Sequence, residues 1–187
     1  MKFDATELAL PGCFSATLPA MKDPRGDFRK MFHAKVYDDY LPGYLPREIY
    51  LTTSNKGVLR GMHFQLPPDD HGKVVICLSG RVNDVLLDLR QGAGYGASTS
   101  IELTPGGTNA VLIPKGIAHG FYAHEDNSTL LYLVETVYAP ANDQGILWNS
   151  FGYSWPSNDV LLSERDTKHA PLSTFEPPKD WFYGAGD

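Results

Sequence analysis

Apolar and polar residues alternate along this chain with the period of a β-strand far more often than with that of a helix. Runs rich in β-branched and aromatic residues stand at 48–53 (EIYLTT), 57–65 (GVLRGMHFQ), 73–80 (KVVICLSG), 81–90 (RVNDVLLDLR), 98–104 (STSIELT), 109–114 (NAVLIP) and 129–140 (TLLYLVETVYAP). Turn signals separate them, at LPPDDHG, QGAGYGAS, TPGGTN and PKGIAHG. Helix-like spacing is confined to 27–41 (DFRKMFHAKVYDDYL) and a short piece at 158–166 (NDVLLSERD). This pattern predicts an all-β jelly-roll barrel or sandwich with a few short peripheral helices, one domain over residues 1–187. A doubly wound α/β fold is disfavoured because long amphipathic crossover segments are missing.

Composition narrows the function without naming it. Of the 187 residues 42% are hydrophobic and 12% aromatic, enough for a real core. The formal net charge of -6 argues against a general nucleic-acid or membrane-surface binder, which needs a positive footprint, but leaves room for a local basic site for a small anion. No apolar run approaches membrane-spanning length, and the start MKFDATELALPG lacks a signal-peptide pattern. The expectation is a soluble protein of a reducing cytoplasm. Cys77, inside VVICL, reads as a small core residue; Cys13 follows Pro11 and Gly12 near the start.

The chemistry begins at GVLRGMHFQ, where Arg60 and His63 interrupt an apolar strand. Arginine is rarely buried unpaired, so Arg60 should face something anionic or wet. Later, IPKGIAHGF carries the Pro-x-Gly-x-x-His turn by which cupin-type jelly rolls bring a metal-binding histidine, here His119, to the barrel mouth. The other half of such a metal motif fails. Gln65 stands where a second histidine belongs, and Lys73 where a glutamate belongs. A protonated lysine offers no lone pair and repels a cation, so no metal is expected. His71 and His124 sit in polar loops and read as surface histidines.

Taken together, RGMHFQ, GKVVICLSGRVNDVLLDLR, IPKGIAHGF, LLYLVETVYAP and SERD resemble the dTDP-4-dehydrorhamnose 3,5-epimerase family, in the family's order and close to its spacing, from about Arg25 to Asp166. The resemblance implies a cupin-type jelly roll, a homodimer with a shared active site, no metal or organic cofactor, and a nucleotide-diphospho-sugar substrate. It implies inversion of carbons flanking the C4 ketone of a 4-keto-6-deoxyhexose. A C–H beside a ketone is acidic only if the enolate is stabilised, so such a site needs a base, an oxyanion partner and an acid on the opposite face. By resemblance His63 is the base, Asp166 the carboxylate that orients it, and Tyr132 the acid; Lys73 suits the enolate oxygen. Arg60 and His119 would hold diphosphate and sugar, and Arg25, in DPRGDF, would reach the nucleotide across the dimer interface. Gln65, Tyr138, Asp143 and Arg165 complete the expected substrate-binding set.

Each residue has a plainer reading beside this one. His63 can be a hydrogen-bonded structural histidine, Tyr132 and Tyr138 core aromatics, Lys73 a solvated strand end and Asp166 a turn residue. Arg60 can pair with Asp84 or Asp88, and His119 can cap its turn. Strict alternation also sets Arg60 and His63 on opposite faces, so both meet one ligand only if the strand is bulged, with Gly61 the natural place. Departures from the family's pattern fall at Lys30, Glu48-Ile49-Tyr50, Asp143, Arg165 and Trp148-Asn149-Ser150. They leave the nucleotide of a dTDP-4-dehydro-6-deoxyglucose-type substrate open, with cytidine or guanosine diphosphate as alternatives to thymidine diphosphate. A 3,4-ketoisomerase on the same scaffold, a non-catalytic nucleotide-sugar-binding cupin and a metal-dependent cupin are the alternatives.

Overall fold

The computed structural model describes residues 3–182. Thirteen strands follow in chain order: β1 (Asp4–Glu7), β2 (Phe14–Thr17), β3 (Ala20–Asp23), β4 (Gly26–Arg29), β5 (Glu48–Ser54), β6 (Leu59–Gln65), β7 (Lys73–Ser79), β8 (Val82–Asp88), β9 (Ser98–Leu103), β10 (Ala110–Ile113), β11 (Ile117–Ala123), β12 (Ser128–Val134) and β13 (Asp143–Gly145). One short helix, α1 (Ala34–Asp38), lies between β4 and β5. The strands form a six-stranded sheet, β1-β2-β10-β7-β12-β5, and a five-stranded sheet, β13-β6-β11-β8-β9, with β3-β4 as a separate hairpin. The result is a cupin-type jelly roll, as an open sandwich of two antiparallel sheets and not a closed barrel.

The period-two pattern sorts side chains into three layers. Between the sheets, Val75, Cys77, Val111, Ile113 and Leu130 meet Val82, Leu86, Leu103, Ile117 and Phe121. Their alternates point outward and are covered as well. Val74, Ile76, Leu112 and Leu133 lie under Val36, Tyr37, Leu41 and Tyr44 of α1 and the turn that follows it. Leu59, Met62, Phe64, Val85 and Leu87 lie under Trp155 and Trp181 of the C-terminal segment. Double coverage explains why β7, β8, β10 and β11 read as nearly continuous apolar runs. Cys13 and Cys77 are buried free thiols, and burial pushes both up to about 12, which makes them inert packing residues.

The sequence expectations fail where tertiary pairing overrides local spacing. The helix expected over 27–41 shrinks to the five residues of α1, because Gly26–Arg29 pairs residue for residue with β3. The strand expected to run to residue 140 stops at Val134, whose partner Glu48 is the first residue of β5. The 158–166 piece is not a helix; a 3₁₀ turn, Asp166–Lys168, begins only at its last residue, and a second, Leu172–Thr174, comes after. The PKGIAHG turn ends at Gly116, and His119 lies inside β11.

The bulge that alternation demanded is present. His119 and Phe121 of β11 stand opposite His63 and Arg60 of β6, so β6 carries one extra residue between its two polar side chains. Gly61 has φ +136° there, and a Cβ on it would lie 2.5 Å from the Cα of Gly120. Only glycine fits. Replacing Gly61 by alanine is therefore expected to lower stability by about 2–4 kcal/mol, read as a shift of the denaturant midpoint; a variant as stable as the parent would show that the close approach relaxes freely.

Candidate active site

Chemistry-bearing residues gather on the inner faces at one end of the sandwich. Lys73 begins the inner-facing series Lys73, Val75, Cys77 on β7, and Tyr132 stands opposite Val75 on β12. Across the gap, β11 contributes His119 and β6, through its bulge, contributes both Arg60 and His63. These four strands enclose a cavity of about 340 Å³, lined by Arg60, His63, Lys73, His119 and Tyr132. That volume suits a small-molecule site.

His63 Nε2 lies 2.6 Å from Asp166 Oδ1, joining residues 103 positions apart. The 3₁₀ turn presents Asp166 almost wholly buried, with its N–H donating to Ser163 Oγ at 3.1 Å. Burial opposes its charge, but the imidazoles of His169, 3.4 Å away, and of His63, hydrogen-bonded at 2.6 Å, hold the carboxyl well below the usual carboxylate range. For His63 the balance goes the other way. Burial lowers its pKa below the ordinary histidine value, against the pull of Asp166, so the imidazole is held neutral at pH 7. With Nε2 engaged by the carboxylate, Nδ1 is the nitrogen left to accept a proton.

Lys73 is buried, and desolvation brings its ammonium down to about 8 against the opposing carboxylates of Asp143 and Asp84. Its Nζ donates to the carbonyl of His63 at 3.4 Å. Tyr132 is buried too, and desolvation raises its phenol well above the ordinary tyrosine value, with Tyr50 and Asp84 adding to the shift. Its ring stacks on Tyr50 at 4.8 Å. Such a pair contributes about 0.5–1.5 kcal/mol beyond its buried area. The cavity thus holds a neutral imidazole, an ammonium and a protonated phenol at once.

The plainer readings of two residues do not hold. Asp88 is engaged by Arg90 at 2.6 Å and Asp84 by His119 at 2.8 Å, so neither serves Arg60. Arg60 Nε donates instead to Ser54 Oγ at 3.0 Å, and the half-buried guanidinium lines the cavity with no carboxylate partner among the described residues. His119 caps no turn; it forms a buried pair with Asp84 and meets the Tyr132 ring edge-on at 5.9 Å.

Gln65, Tyr138, Asp143 and Arg165 also line the cavity. Gln65 turns its amide to the wall, donating to the Asp69 carbonyl at 2.9 Å and accepting from Ala139 N–H at 2.7 Å. Arg165 donates to Asp143 at 2.9 Å on the rim. Arg25 is elsewhere, 90% exposed on the β3–β4 hairpin and paired with Asp23. His71 is a correction: it is no surface residue but part of the cavity wall, bonded to Thr136 at 2.7 Å, and burial pushes it down to about 3. Thr52 was missed, and Glu48 and Tyr50, read only as departures from the family's pattern, join it in lining the cavity from one face of β5, where Tyr50 pairs with Tyr132. His169 was missed as well. It completes the trio His63, Asp166 and His169, whose potential metal-ligating atoms lie within 4.8 Å of one another, with two of those atoms tied in the 2.6 Å hydrogen bond.

Comparison with known proteins finds relatives along most of the chain. The family model described as dTDP-4-dehydrorhamnose 3,5-epimerase matches residues 7–174. The dTDP-4-dehydrorhamnose 3,5-epimerase of Shigella flexneri is 34% identical over 152 residues, covering 77% of this chain and 82% of that protein. The dTDP-4-dehydrorhamnose 3-epimerase of Streptomyces niveus is 36% identical over 163 residues, covering 85% and 79%. The solved structure of dTDP-6-deoxy-D-glucose-3,5-epimerase from Legionella pneumophila Philadelphia 1, in complex with dTDP-4-keto-L-rhamnose, superposes with a TM-score of 0.88 at 29% identity, covering 98% of this chain and 100% of that one.

A depressed carboxyl pKa stabilises the fold above the carboxyl's unfolded value, about 3.9, and that contribution is lost as pH falls toward the folded value. Asp166→Asn is therefore expected to be less stable than the parent at pH 7 by about 1–3 kcal/mol and to lose less stability on acidification. Denaturant melts at pH 7 and pH 3 check this, and parallel losses in both proteins would contradict it.

Proposed function

The chain belongs to the dTDP-4-dehydrorhamnose 3,5-epimerase family of isomerases, and on that premise we propose that it inverts one or both carbons flanking the C4 ketone of a nucleotide-diphospho-4-keto-6-deoxyhexose. The observation that carries the reading is the 2.6 Å His63–Asp166 pair opening on a cavity that Lys73 and Tyr132 also line. In this reading His63 Nδ1 removes the proton beside the ketone, and Asp166 stabilises the imidazolium that forms. The electron pair moves onto O4, where the Lys73 ammonium neutralises the developing charge. Tyr132, kept protonated by burial, returns a proton to the carbon from the other face. Arg60, without a carboxylate partner among the described residues, offers a planar fork to the diphosphate, while His119, fixed by Asp84, holds the sugar, and Gln65, Tyr138, Asp143 and Arg165 shape the remaining wall. The chemistry requires no metal or organic cofactor.

A homodimer with a shared site fits the placement of Arg25. The exposed apolar residues Ile49 and Leu51 lie on the edge strand β5, and Met21 and Phe28 lie on the hairpin that carries Arg25. They support burial against a second copy, from which Arg25 would reach the nucleotide. No helix among the described residues is long and apolar enough to cross a membrane, and we place the enzyme in the cytoplasm. The departures at Glu48, Tyr50, Asp143 and Arg165 all fall on residues lining the cavity. They bear on how the sugar is held as much as on which nucleotide carries it.

The direct test incubates thymidine, cytidine and guanosine diphospho-4-ketosugars in deuterated water and reads exchange at C3 and C5 by NMR. Exchange is expected with at least one substrate and is abolished in His63→Ala. Tyr132→Phe is expected to permit proton loss while blocking inversion. Exchange at neither carbon with every substrate would leave a binding module, and full inversion by Tyr132→Phe would remove that residue from the mechanism.

The same groups dictate a bell-shaped pH profile of kcat/KM. The acid limb falls below the ordinary histidine value of about 6.5, because burial keeps His63 neutral to lower pH. The alkaline limb falls near 8, where Lys73 loses its proton. Lys73→Met is expected to reduce kcat/KM by about 10²–10³ and to remove the alkaline limb; a limb unmoved in that variant would assign it to another group.

A further inference from the structure

Tyr50 and Tyr132 face each other across the β5–β12 ladder, their ring centroids 4.8 Å apart and their planes 10° from parallel. Directly opposed residues of an antiparallel pair share one face of the sheet, here the face that lines the cavity. The Tyr132 ring also meets His119 edge-on at 5.9 Å, so it is held between a ring of its own sheet and a ring of the opposite sheet. Val75, its register partner on the other side, offers no aromatic face. Tyr50 stands on an edge strand, 42% exposed, where the core has no need of an aromatic side chain.

We propose that Tyr50 is a positioning residue: its ring holds the Tyr132 phenol in one orientation and so biases which of the two carbons flanking the ketone is reprotonated. The inference rests on the epimerase reading above. In the step concerned, the phenol O–H bond breaks and its proton bonds to the enolate carbon, using the electron pair left when His63 removed the original proton; water then reprotonates the phenolate. The two candidate carbons lie on either side of the carbonyl carbon. A phenol free to swing follows the enolate from one to the other, whereas a stacked phenol is aligned with one. Although the residue as a whole is partly exposed, Tyr50 stays protonated, because desolvation of the ring where it lies against Tyr132 and the carboxylates of Glu48 and Asp143 push its pKa up to about 12, so it does not compete as a base.

The experiment measures deuterium incorporation at C3 and C5 separately, in the full-length protein, for the parent, Tyr50→Phe, Tyr50→Leu and Tyr50→Ala, with folding checked by circular dichroism. The parent is expected to exchange the two positions at unequal rates. Tyr50→Ala and Tyr50→Leu, which remove the aromatic face, should bring the C3:C5 ratio closer to one by about three- to tenfold. Tyr50→Phe, which keeps the ring and drops the hydroxyl, should retain the parental ratio. An unchanged ratio in folded Tyr50→Leu, equal rates in the parent, or a Tyr50→Phe ratio like that of alanine overturns the proposal while leaving the epimerase reading intact. Absence of exchange in the parent overturns both.

Discussion

Whether this molecule has a site at all is decided where two backbones touch. Gly61 and Gly120 approach so closely that neither strand tolerates a side chain there: a Cβ on Gly61 would lie 2.5 Å from Gly120 Cα, and a Cβ on Gly120 would lie 2.8 Å from the Arg60 carbonyl. The extra residue in β6 that accompanies this contact turns Arg60 onto the face that His63 already occupies. In a regular strand one of the two would point into the packing beneath Trp155 and Trp181. The pairing of a guanidinium with an imidazole around one cavity is thus a consequence of backbone packing before it is a matter of catalysis.

Given that geometry, burial sets the protonation states. One end of the sandwich is filled by aliphatic side chains, while the other is lined by ionisable groups whose neutral or charged forms are selected by desolvation and by fixed partners. His63 and His71 are pushed toward neutrality, Lys73 is brought to about 8, and Tyr132 is kept protonated. Asp166 stays charged because the adjacent imidazoles of His169 and His63, the second hydrogen-bonded to it, outweigh its burial. An enclosed site of this kind keeps a base ready to accept and an acid ready to donate over a wider pH range than two exposed groups of the same types offer.

What the sequence disclosed follows the range of the forces involved. Period-two alternation reports burial on a pleated sheet, so β5, β7, β8, β9 and β10 were legible within a residue or two. The conflict between Arg60 and His63 within that same alternation foretold the bulge. The His63–Asp166 pair joins two segments 103 residues apart, and only the family resemblance linked them. The hairpin at Gly26–Arg29 was misread because its stability comes from pairing with β3, which no local spacing records. His71 looked like a surface residue because its loop is polar; the network of Gln65 and Thr136 that folds the loop inward is a tertiary fact. Tyr50 and Glu48 were noted as departures from the family's pattern, but their place against Tyr132 and Tyr138 emerges only from the register of β5 with β12.

The residual cost of this arrangement is visible in its polar atoms. Besides His33 Nδ1, at the start of α1, three buried side-chain atoms lack a direct hydrogen bond among the described residues: Thr52 Oγ1, Asp84 Oδ1 and His169 Nε2. Each belongs to the site or its immediate backing: Thr52 lines the cavity, Asp84 holds His119, and His169 stands 3.4 Å from the shared oxygen of Asp166. Unsatisfied buried groups are uncommon in folded proteins, and each destabilises by about 1–3 kcal/mol unless water or a bound molecule meets it. Their concentration around one cavity, beside a lysine held with a lowered pKa, means that this end of the sandwich is destabilised relative to the aliphatic end. The doubly covered sheets supply the stability that tolerates it. A fold with only one apolar face per sheet would have less to offset that strain, and this is the physical reason α1 and the C-terminal tryptophans belong to the argument about function although none of them reaches the cavity.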